Sequence, residues 1–395
     1  MVASLESTGS DLASGNVWRL SEQGRQQAWQ YRWLTTGRPR THITHDARLL
    51  ADRVAWNKVF RRSFWDRHAF AFPEGKLYED TPVMIPAHYL AGSVDLLHEH
   101  VYYWRVREGS ITRRRTDVKG VTDRIAACEH VSAFLADRDA VQQRRYDVSC
   151  LRDDFLYFLE GVAMGGAAYR TAFMRDAGAF LDRTGGSALD GLPAELRIKW
   201  QLVRERRLDD LLAVLAFEQA NGAGTFAVEG LPGRRRAVHP GIAGTGVRLG
   251  QGDLPAVARL LESSWSKDGK LRLRGYAYIR NLPADRAHHT LKVGMVRAVG
   301  GRQLRRVPVR TVPMPEATVD SGQELHSYDR SGFEMVLDPE KLRAGSWLVG
   351  WCWRATASCG GSPYAPWTLR RSSRSPTTWE RAGGPCSATG TAGSN

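Results

Sequence analysis

WNKVFRR at residues 56–62, FPEG at 72–75 and YED at 78–80 follow one another closely near the start of this 395-residue chain. Pro82 comes two residues after the YED segment, and proline is favoured in the first turn of a helix. The pattern therefore predicts that Glu79 and Asp80 open a helix, where backbone N–H groups stabilise an ionised carboxylate. Such a carboxylate is able to accept a proton. The alternative is an ordinary pair of first-turn acids, and the pair alone favours that alternative.

The order of these segments resembles the acceptor-side half of family 2 glycosyltransferases of the GT-A fold. The resemblance is carried by NKVFRRSF at 57–64, FPEG at 72–75, Glu79-Asp80 and VYYWRVR at 101–107. Within that family, the likeness is greatest to actinobacterial enzymes related to the teichoic-acid glycosyltransferases. It is close over residues 1–115 and weaker in the later domains.

The resemblance implies an inverting transfer of a sugar from a nucleotide donor to a cell-envelope polymer or a related acceptor. It assigns Asp80 as the base that removes the acceptor hydroxyl proton, and Glu79 as its neighbour in acceptor recognition. The residues expected to contact substrate are Arg105 and Arg107 at the diphosphate, Lys58 on the acceptor side and Trp104 against a sugar face. Surface arginines, a solvated helix face and ordinary core packing are the alternatives for these four residues.

The family also has an N-terminal nucleotide-binding half, in which an Asp-x-Asp motif holds a divalent metal, manganese or magnesium, on the donor diphosphate. No Asp-x-Asp stands upstream of Glu79, and the spacing of His88, His98 and His100 specifies no metal site. We therefore expect a chain without the donor-binding half, without metal ligands and without turnover of a sugar nucleotide. A late gene start and a truncated relative both explain this, and the sequence does not separate them.

The chain is strongly basic, with a formal net charge of +14 and a pI near 9.8. Such a balance predicts an affinity for polyanions. The basic residues are spread over the whole length without a zinc-finger, RRM or KH signature, so no specific nucleic acid is expected. Anionic lipid headgroups, a nucleotide diphosphate and a phosphate-bearing polymer fit the charge equally well.

Localisation is predicted from what the sequence does not contain. It has neither an apolar run long enough for a membrane span nor the basic and apolar regions of a signal peptide. The five cysteines, Cys128, Cys150, Cys352, Cys359 and Cys386, are irregularly spaced and form no CxxC pair. We expect free thiols in a cytoplasmic protein. Peripheral contact with the inner face of the membrane and assembly into a homo-oligomer are both left open.

The fold class predicted is a multi-domain α/β + α + β chain that begins with a partial GT-A unit at residues 1–115. Within that unit we expect strands at 12–20 and 94–106, and helices at 22–33, at 46–60 and from residue 79. Residues 116–222 repeat apolar side chains at helical spacing and predict a helical linker domain.

The C-terminal half changes period. Residues 223–262 are rich in Gly, Arg and Pro and indicate a linker. Residues 263–350 alternate polar and apolar side chains and predict an antiparallel β-sandwich, which the resemblance identifies as immunoglobulin-like. Residues 351–395 are nearly free of aliphatic side chains, and we expect a disordered tail without a strand. The competing function is a non-catalytic module that binds a polyanion or a partner through the helical segment and the β-sandwich.

Overall fold

The computed structural model describes residues 1–105, 115–231, 233–250, 252–286, 291–298, 304–342, 345–354, 364–371 and 379–382. Arg107, Cys359 and Cys386 therefore lie outside the described residues. The chain forms two compact units, Met1–Leu192 with Lys199–Leu215, and Pro193–Ile198 with Ala216–Asn395. Among the described residues, no helix combines the length and the apolar character needed to cross a bilayer.

The first unit opens with one mixed sheet. Its strands are β1 (Leu12–Ser21), β2 (Gly24–Gln27), β3 (Arg38–Thr41), β4 (Lys58–Phe60) and β5 (Val94–Arg105), and its helices are α1 (Val2–Thr8), α2 (Arg62–Arg67) and α3 (Thr81–Leu90). The strand order is β2-β1-β5-β3, and β4 also pairs with β1. The central strands β1 and β5 run parallel, because the chain crosses over between them through β4, α2 and α3. Their first residues are buried, as expected for strands covered on both faces, and include the polar residues Ser14, Asn16 and Asp95.

The two strands and the helix at residue 81 confirm the predictions for those segments, but two predicted helices are wrong. Residues 22–33 instead turn at Gly24, which has φ of 105°, into β2 and a short 3₁₀ turn at Trp29–Tyr31. Residues 46–60 form a 3₁₀ turn at Ala47–Ala51, an irregular stretch and then β4. A continuous helix does not form over residues 46–60, because Asp52 accepts buried hydrogen bonds from Ser14 and Tyr31, which lie far away in the sequence.

The helices predicted after residue 116 are confirmed. They are α4 (Val118–Ala136), α5 (Ala140–Ser149), α6 (Leu156–Gly161), α7 (Ala167–Thr184), α8 (Ala194–Arg204) and α9 (Leu208–Asn221), with a π-helical turn at Cys150–Asp154 between α5 and α6. Asp117 and Asp139 cap α4 and α5, accepting hydrogen bonds from backbone N–H groups of the first turn. Aromatic contacts among Phe155, Phe180 and Trp200 fill the core of this region.

The second unit is built mainly of antiparallel strands. They are β6 (Ala227–Glu229), β7 (Arg236–Val238), β8 (Val247–Arg248), β9 (Ala256–Trp265), β10 (Leu271–Ile279), β11 (Leu291–Ala298), β12 (Leu304–Val307), β13 (Val309–Val312), β14 (Gly332–Leu337), β15 (Gly345–Arg354), β16 (Tyr364–Arg371) and β17 (Trp379–Ala382), with helix α10 (Glu316–Ser321). The sheet orders are β6-β7-β8, β13-β14-β10-β9 and β12-β11-β15-β16-β17.

The two larger sheets share one apolar core, in which Leu273 and Phe333 of one sheet pack with Val296 and Val349 of the other. The immunoglobulin-like assignment stays a prediction. The segment expected to be a linker carries β6 to β8 and most of β9. Strands β16 and β17 correct the expectation that residues after 351 form no strand: Tyr, Trp, Thr and Leu in the sequence of β16 favour extended structure even where aliphatic residues are few.

Candidate active site

Helix α3 positions the predicted acid pair. Asp80 is its N-cap residue and Pro82 lies in its first turn, as the sequence predicted. The carbonyl of Asp80 accepts hydrogen bonds from the backbone N–H groups of Val83 and Met84, while its carboxylate makes no capping bond. Tyr78 has φ of 61°, a left-handed conformation that is strained for a side chain of this size. The turn at Tyr78 leaves Glu79 exposed and Asp80 half-buried.

Asp80 opens into a cavity of about 270 Å³, here called the Asp80 cavity. Its walls include the aromatic residues Trp29, Trp56, Tyr78 and Trp104 and the charged residues Arg53, Asp80, Arg124 and Asp153. An apolar, aromatic lining with a small number of convergent polar groups is the usual composition of a small-molecule site.

The tryptophans come from separate elements of the sheet. Trp104 lies near the end of β5, and Trp56 just before β4. The Trp56 ring stacks on Tyr102 with centroids 4.4 Å apart, and its centroid is 6.5 Å from that of Trp104. Trp29 is 60% exposed at the rim, although it is among the largest apolar side chains of the chain. These flat faces suit a ligand with both apolar and polar edges, such as a sugar ring.

Burial raises the pKa of the Asp80 carboxyl; the positive charge of Arg124 opposes that shift and the negative charge of Glu79 adds to it. A carboxylate with a raised pKa is a stronger base than an ordinary surface aspartate. The backbone N–H groups at the start of α3 favour its ionised form. Asp80 is thus a half-buried carboxylate at a helix start, and its role as a proton acceptor stays a prediction.

Two arginines that line the cavity are held by one buried carboxylate. Arg53 and Arg124 both donate to Oδ1 of Asp154, whose side chain is fully buried. Arg124 also donates to Thr81 Oγ1 at 2.9 Å, and its guanidinium carbon lies 4.8 Å from the centre of the Tyr78 ring. Arg124 therefore ties helix α4 to the first turn of α3, next to Asp80.

Lys58, which we expected to contact substrate, points into the protein. Its ammonium donates to Asp52 Oδ1 at 2.6 Å, to the Val54 carbonyl at 2.6 Å and to Asn57 Oδ1 at 3.0 Å. These bonds use all three donors of the group. The expectation is corrected because Lys58 has a fully buried partner, Asp52, that the local sequence did not reveal.

Asp52 is the centre of this interior network. It accepts hydrogen bonds from Ser14 Oγ and Tyr31 Oη, each at 2.6 Å, and His88 Nε2 lies 3.2 Å from its Oδ2. Burial alone raises the pKa of Asp52, but the charge of Lys58 and the nearby His88 ring outweigh burial, so that pKa lies far below its usual range. Asp52 is an ionised structural residue.

The predicted site residues are thus only partly brought together. Asp80 and Trp104 line the same cavity. Glu79 lines a neighbouring cavity of about 370 Å³. Arg105 is exposed at the end of β5 and is not among the residues that line the Asp80 cavity. Arg107 lies outside the described residues.

Sequence analysis missed several cavity residues, namely Trp29, Arg53, Trp56, Tyr78 and Arg124. Trp56 and Tyr78 were within reach, because each is the first residue of a segment that had been singled out. Arg124 was not, since its place depends on how α4 packs against α3.

The divalent metal implied by the resemblance does not fit the Asp80 cavity. Two carboxylates line it, Asp80 and Asp153, and Asp153 pairs with Arg152 at 2.8 Å. Within the described part of the chain, three potential ligands approach one another only at Cys128, Cys150 and Asp154. Because manganese and magnesium prefer several oxygen ligands, no step of the chemistry is assigned to such an ion here.

Comparisons with known proteins give a relative in sequence and solved structures of similar fold. No family model matches the chain. A stretch of 113 residues is 29% identical to EpsH of Bacillus subtilis (strain 168), a putative glycosyltransferase, and covers 28% of this chain and 31% of that protein. The chain thus spans less than a third of this curated relative.

Solved structures extend the comparison to the fold. The crystal structure of S. aureus TarS matches with a TM-score of 0.57 at 12% identity, over 90% of this chain and 58% of TarS. TarS 1–349 in complex with UDP-GlcNAc matches with a TM-score of 0.51 at 15% identity, over 63% of this chain and 70% of that one. The chain therefore shares the fold of TarS over most of its length and is similar in sequence to a putative glycosyltransferase.

Proposed function

We propose that the Asp80 cavity is the acceptor side of an inverting sugar-transfer site of the family 2, GT-A type. One observation carries the proposal: a half-buried carboxylate with a raised pKa opens into a cavity walled by Trp29, Trp56 and Trp104. The similarity to a putative glycosyltransferase and the fold shared with TarS support the same class.

In this reaction, Asp80 accepts the proton of an acceptor hydroxyl while that oxygen attacks the anomeric carbon of the donor sugar. The bond from that carbon to the diphosphate oxygen breaks, and the diphosphate leaves with the electron pair. The raised pKa of Asp80 makes the proton transfer more favourable than it would be to a solvated aspartate. The indole faces orient the acceptor, so that one hydroxyl points at the carboxylate.

The donor class is a nucleotide sugar, and the TarS complex with UDP-GlcNAc supports a UDP-sugar. The cell-envelope polymer is proposed as acceptor from the sequence resemblance. The roles of Arg105 and Arg107 at the diphosphate remain predictions, as does the expectation that this chain alone does not turn over a sugar nucleotide.

Acceptor binding tests the proposal directly. Calorimetric titration of the full chain with a short teichoic-type oligomer is expected to show binding that Trp104→Ala weakens roughly fivefold, the effect of about 1 kcal/mol for a lost aromatic contact. Tyr103→Ala is the matched control, because Tyr103 is the adjacent aromatic residue of β5, is 51% exposed and does not line the cavity. Equal loss in both variants, or none in either, would contradict the proposal.

A turnover assay distinguishes a role of Asp80 as the base from a role in acceptor binding. Asp80→Asn is expected to leave the oligomer Kd within about twofold, because the base is needed only as the transition state forms. If the chain releases UDP from UDP-GlcNAc in the presence of the oligomer, the expectation of inactivity is wrong. In that case Asp80→Asn is expected to lower kcat by about 10²- to 10⁴-fold, with Glu79→Gln affecting kcat much less.

A further inference from the structure

A cluster of buried polar groups lies behind the Asp80 cavity and takes no part in the proposed chemistry. It consists of Cys128 on α4, Cys150 and Asp154 on the π-helical turn, and Tyr146 near the end of α5. The two thiols and one carboxylate oxygen lie within 4.8 Å of one another, and all three residues are buried. The sequence did not reveal the cluster, since Cys128 and Cys150 are far apart and belong to no CxxC pair.

In two of these residues, one buried polar atom has no nitrogen or oxygen partner among the described residues. Oδ1 of Asp154 accepts from both Arg53 and Arg124, but Oδ2 has no hydrogen-bond partner among the described residues. The hydroxyl of Tyr146, in a fully buried side chain, likewise has no nitrogen or oxygen partner in the described part of the chain. Its polar neighbours are the two sulfur atoms. Buried acceptors and hydroxyls without partners are uncommon, and a bound ion is one of the recognised reasons for them.

A π-helical turn of the backbone brings Cys150 and Asp154 close to Cys128. The N–H of Phe155 donates to the carbonyl of Cys150 at 2.8 Å, the five-residue step of a π-helical turn. This wider turn places Cys150 and Asp154 on one side of the helix, facing Cys128. Such turns occur frequently at functional sites.

We propose that Cys128, Cys150 and Asp154 Oδ2 bind a thiolate-preferring divalent cation of the zinc type, with the Tyr146 hydroxyl as the fourth group within reach. Two thiolates and one carboxylate match the sulfur and oxygen donors that zinc accepts in four-coordinate sites. In a zinc tetrahedron such ligands stand roughly 3.5–3.8 Å apart, which lies inside the limit that the cluster shows. Harder cations such as Mg²⁺ are disfavoured by the two sulfurs.

The charges balance when the metal binds. Both thiols lose their protons to solvent, so that a cation of charge +2 replaces two protons and the net charge of the buried cluster does not change.

Such a metal would stabilise the part of the Asp80 cavity wall that Arg53 and Arg124 form. It would hold Asp154, which in turn holds Arg53 and Arg124 at the cavity. The site is proposed as structural, and it does not depend on the sugar-transfer proposal. Because it is buried, loading is expected during folding.

Cobalt binding by a triple Cys→Ser variant provides the test. Replacing Cys352, Cys359 and Cys386 by serine leaves Cys128 and Cys150 as the last two of the five thiols. Refolded with Co²⁺ under reducing conditions, this variant is expected to bind one cobalt per chain and to show a thiolate-to-cobalt charge-transfer band. Adding Cys128→Ser is expected to abolish the band and to lower bound cobalt at least tenfold, whereas adding Ser63→Ala, away from the cluster, should change neither.

Absence of the band from the folded triple Cys→Ser variant would overturn the proposal, as would a band that persists after Cys128→Ser. A disulfide between Cys128 and Cys150, with no cobalt binding after its reduction, would overturn it as well. If the variant does not fold, zinc-edge X-ray absorption of the wild-type chain loaded with Zn²⁺ decides the matter. A coordination shell containing two sulfurs and oxygen is expected, and a shell of oxygen and nitrogen alone would contradict the site.

Discussion

Asp52 and Asp80 lie in the same α/β segment, and their surroundings are opposite. Asp52 is 2% exposed and has Ser14, Tyr31 and Lys58 as hydrogen-bond donors. Asp80 is half-buried at a helix start, and among the described residues no other side chain donates to its carboxylate. The pKa of Asp52 is far below its usual range, whereas burial raises that of Asp80.

The difference shows how one residue type serves either structure or chemistry. Side chains within the protein donate hydrogen bonds to both carboxylate oxygens of Asp52, so few acceptor positions remain for a ligand. Asp80 has no such side-chain donors among the described residues and faces an open cavity, as the proposed base must. Removing the first carboxylate should therefore damage the fold, and removing the second should damage only the reaction.

The largest effect is expected from Asp52→Asn. The change leaves the buried Lys58 ammonium without its counter-charge, and breaking a buried ion pair in this way costs about 3–5 kcal/mol. Hydrogen exchange of the β1 and β5 amides at neutral pH measures this loss of local stability. Asp66→Asn is the matched control: Asp66 pairs with Arg62 on the surface, where such pairs contribute only about 0–1 kcal/mol. Equal protection in the two variants would contradict the structural role of Asp52.

Lys58→Met tests the same pair from its other side and adds a dependence on pH. The lowered pKa of Asp52 means that its contribution to stability is present above the unfolded-state pKa of about 3.9 and is lost as pH falls through the folded-state value. Methionine leaves Asp52 ionised without its main partner, so we expect a loss of about 3 kcal/mol at neutral pH. That loss should shrink as pH falls from 7 towards the unfolded-state value of about 3.9, because burial without the Lys58 charge raises the pKa of Asp52 and the carboxyl takes up a proton. Urea unfolding at pH 7 and pH 3.5 checks this, and a loss independent of pH would contradict it.

Asp80→Asn should have a small effect of the opposite sign. A raised carboxyl pKa opposes folding at pH values above it, and this cost disappears as pH falls below the unfolded-state value. We expect the variant to be as stable as the wild type or up to about 1 kcal/mol more stable at pH 7, with no difference at pH 3. Thermal unfolding at both pH values measures this. A clear destabilisation at pH 7 would place Asp80 among the structural residues with Asp52.

Trp29→Ala is expected to have the smallest effect on stability. The side chain is 60% exposed, and surface substitutions usually change stability by no more than about 0.5 kcal/mol. Oligomer binding should nevertheless weaken about threefold, because an indole face at the cavity rim is lost. Calorimetry and thermal unfolding of the same preparation separate the two effects. A large loss of stability without a change in binding would show that Trp29 serves packing.

The parts of the fold that the sequence predicted correctly are those specified by neighbouring residues. The alternation along β5, the acid pair with Pro82 at α3 and the helical period of α4 to α9 each depend on a short window of sequence. The segment at 46–60 was predicted wrongly because Asp52, the partner of Lys58, accepts hydrogen bonds from Ser14 and Tyr31, which lie outside any such window.

The same distinction applies to the candidate site. Asp80 and Trp104 were found because each belongs to a contiguous motif. The arginines that complete the cavity were not, since Asp154 joins Arg53 to Arg124 across elements that are distant in the sequence. Lys58 belongs to the most informative motif of the chain and nevertheless serves the interior, because a motif specifies a residue type but not the partner that it meets.

A crystal structure of the full chain with a bound teichoic-type oligomer is the most direct test of the central claim. We expect one acceptor hydroxyl within about 2.6–3.2 Å of an Asp80 carboxylate oxygen, with the sugar or polyol against Trp56 or Trp104. An oligomer bound to the strands of the second compact unit, with the Asp80 cavity free of ligand, would contradict the claim and favour a non-catalytic binding module.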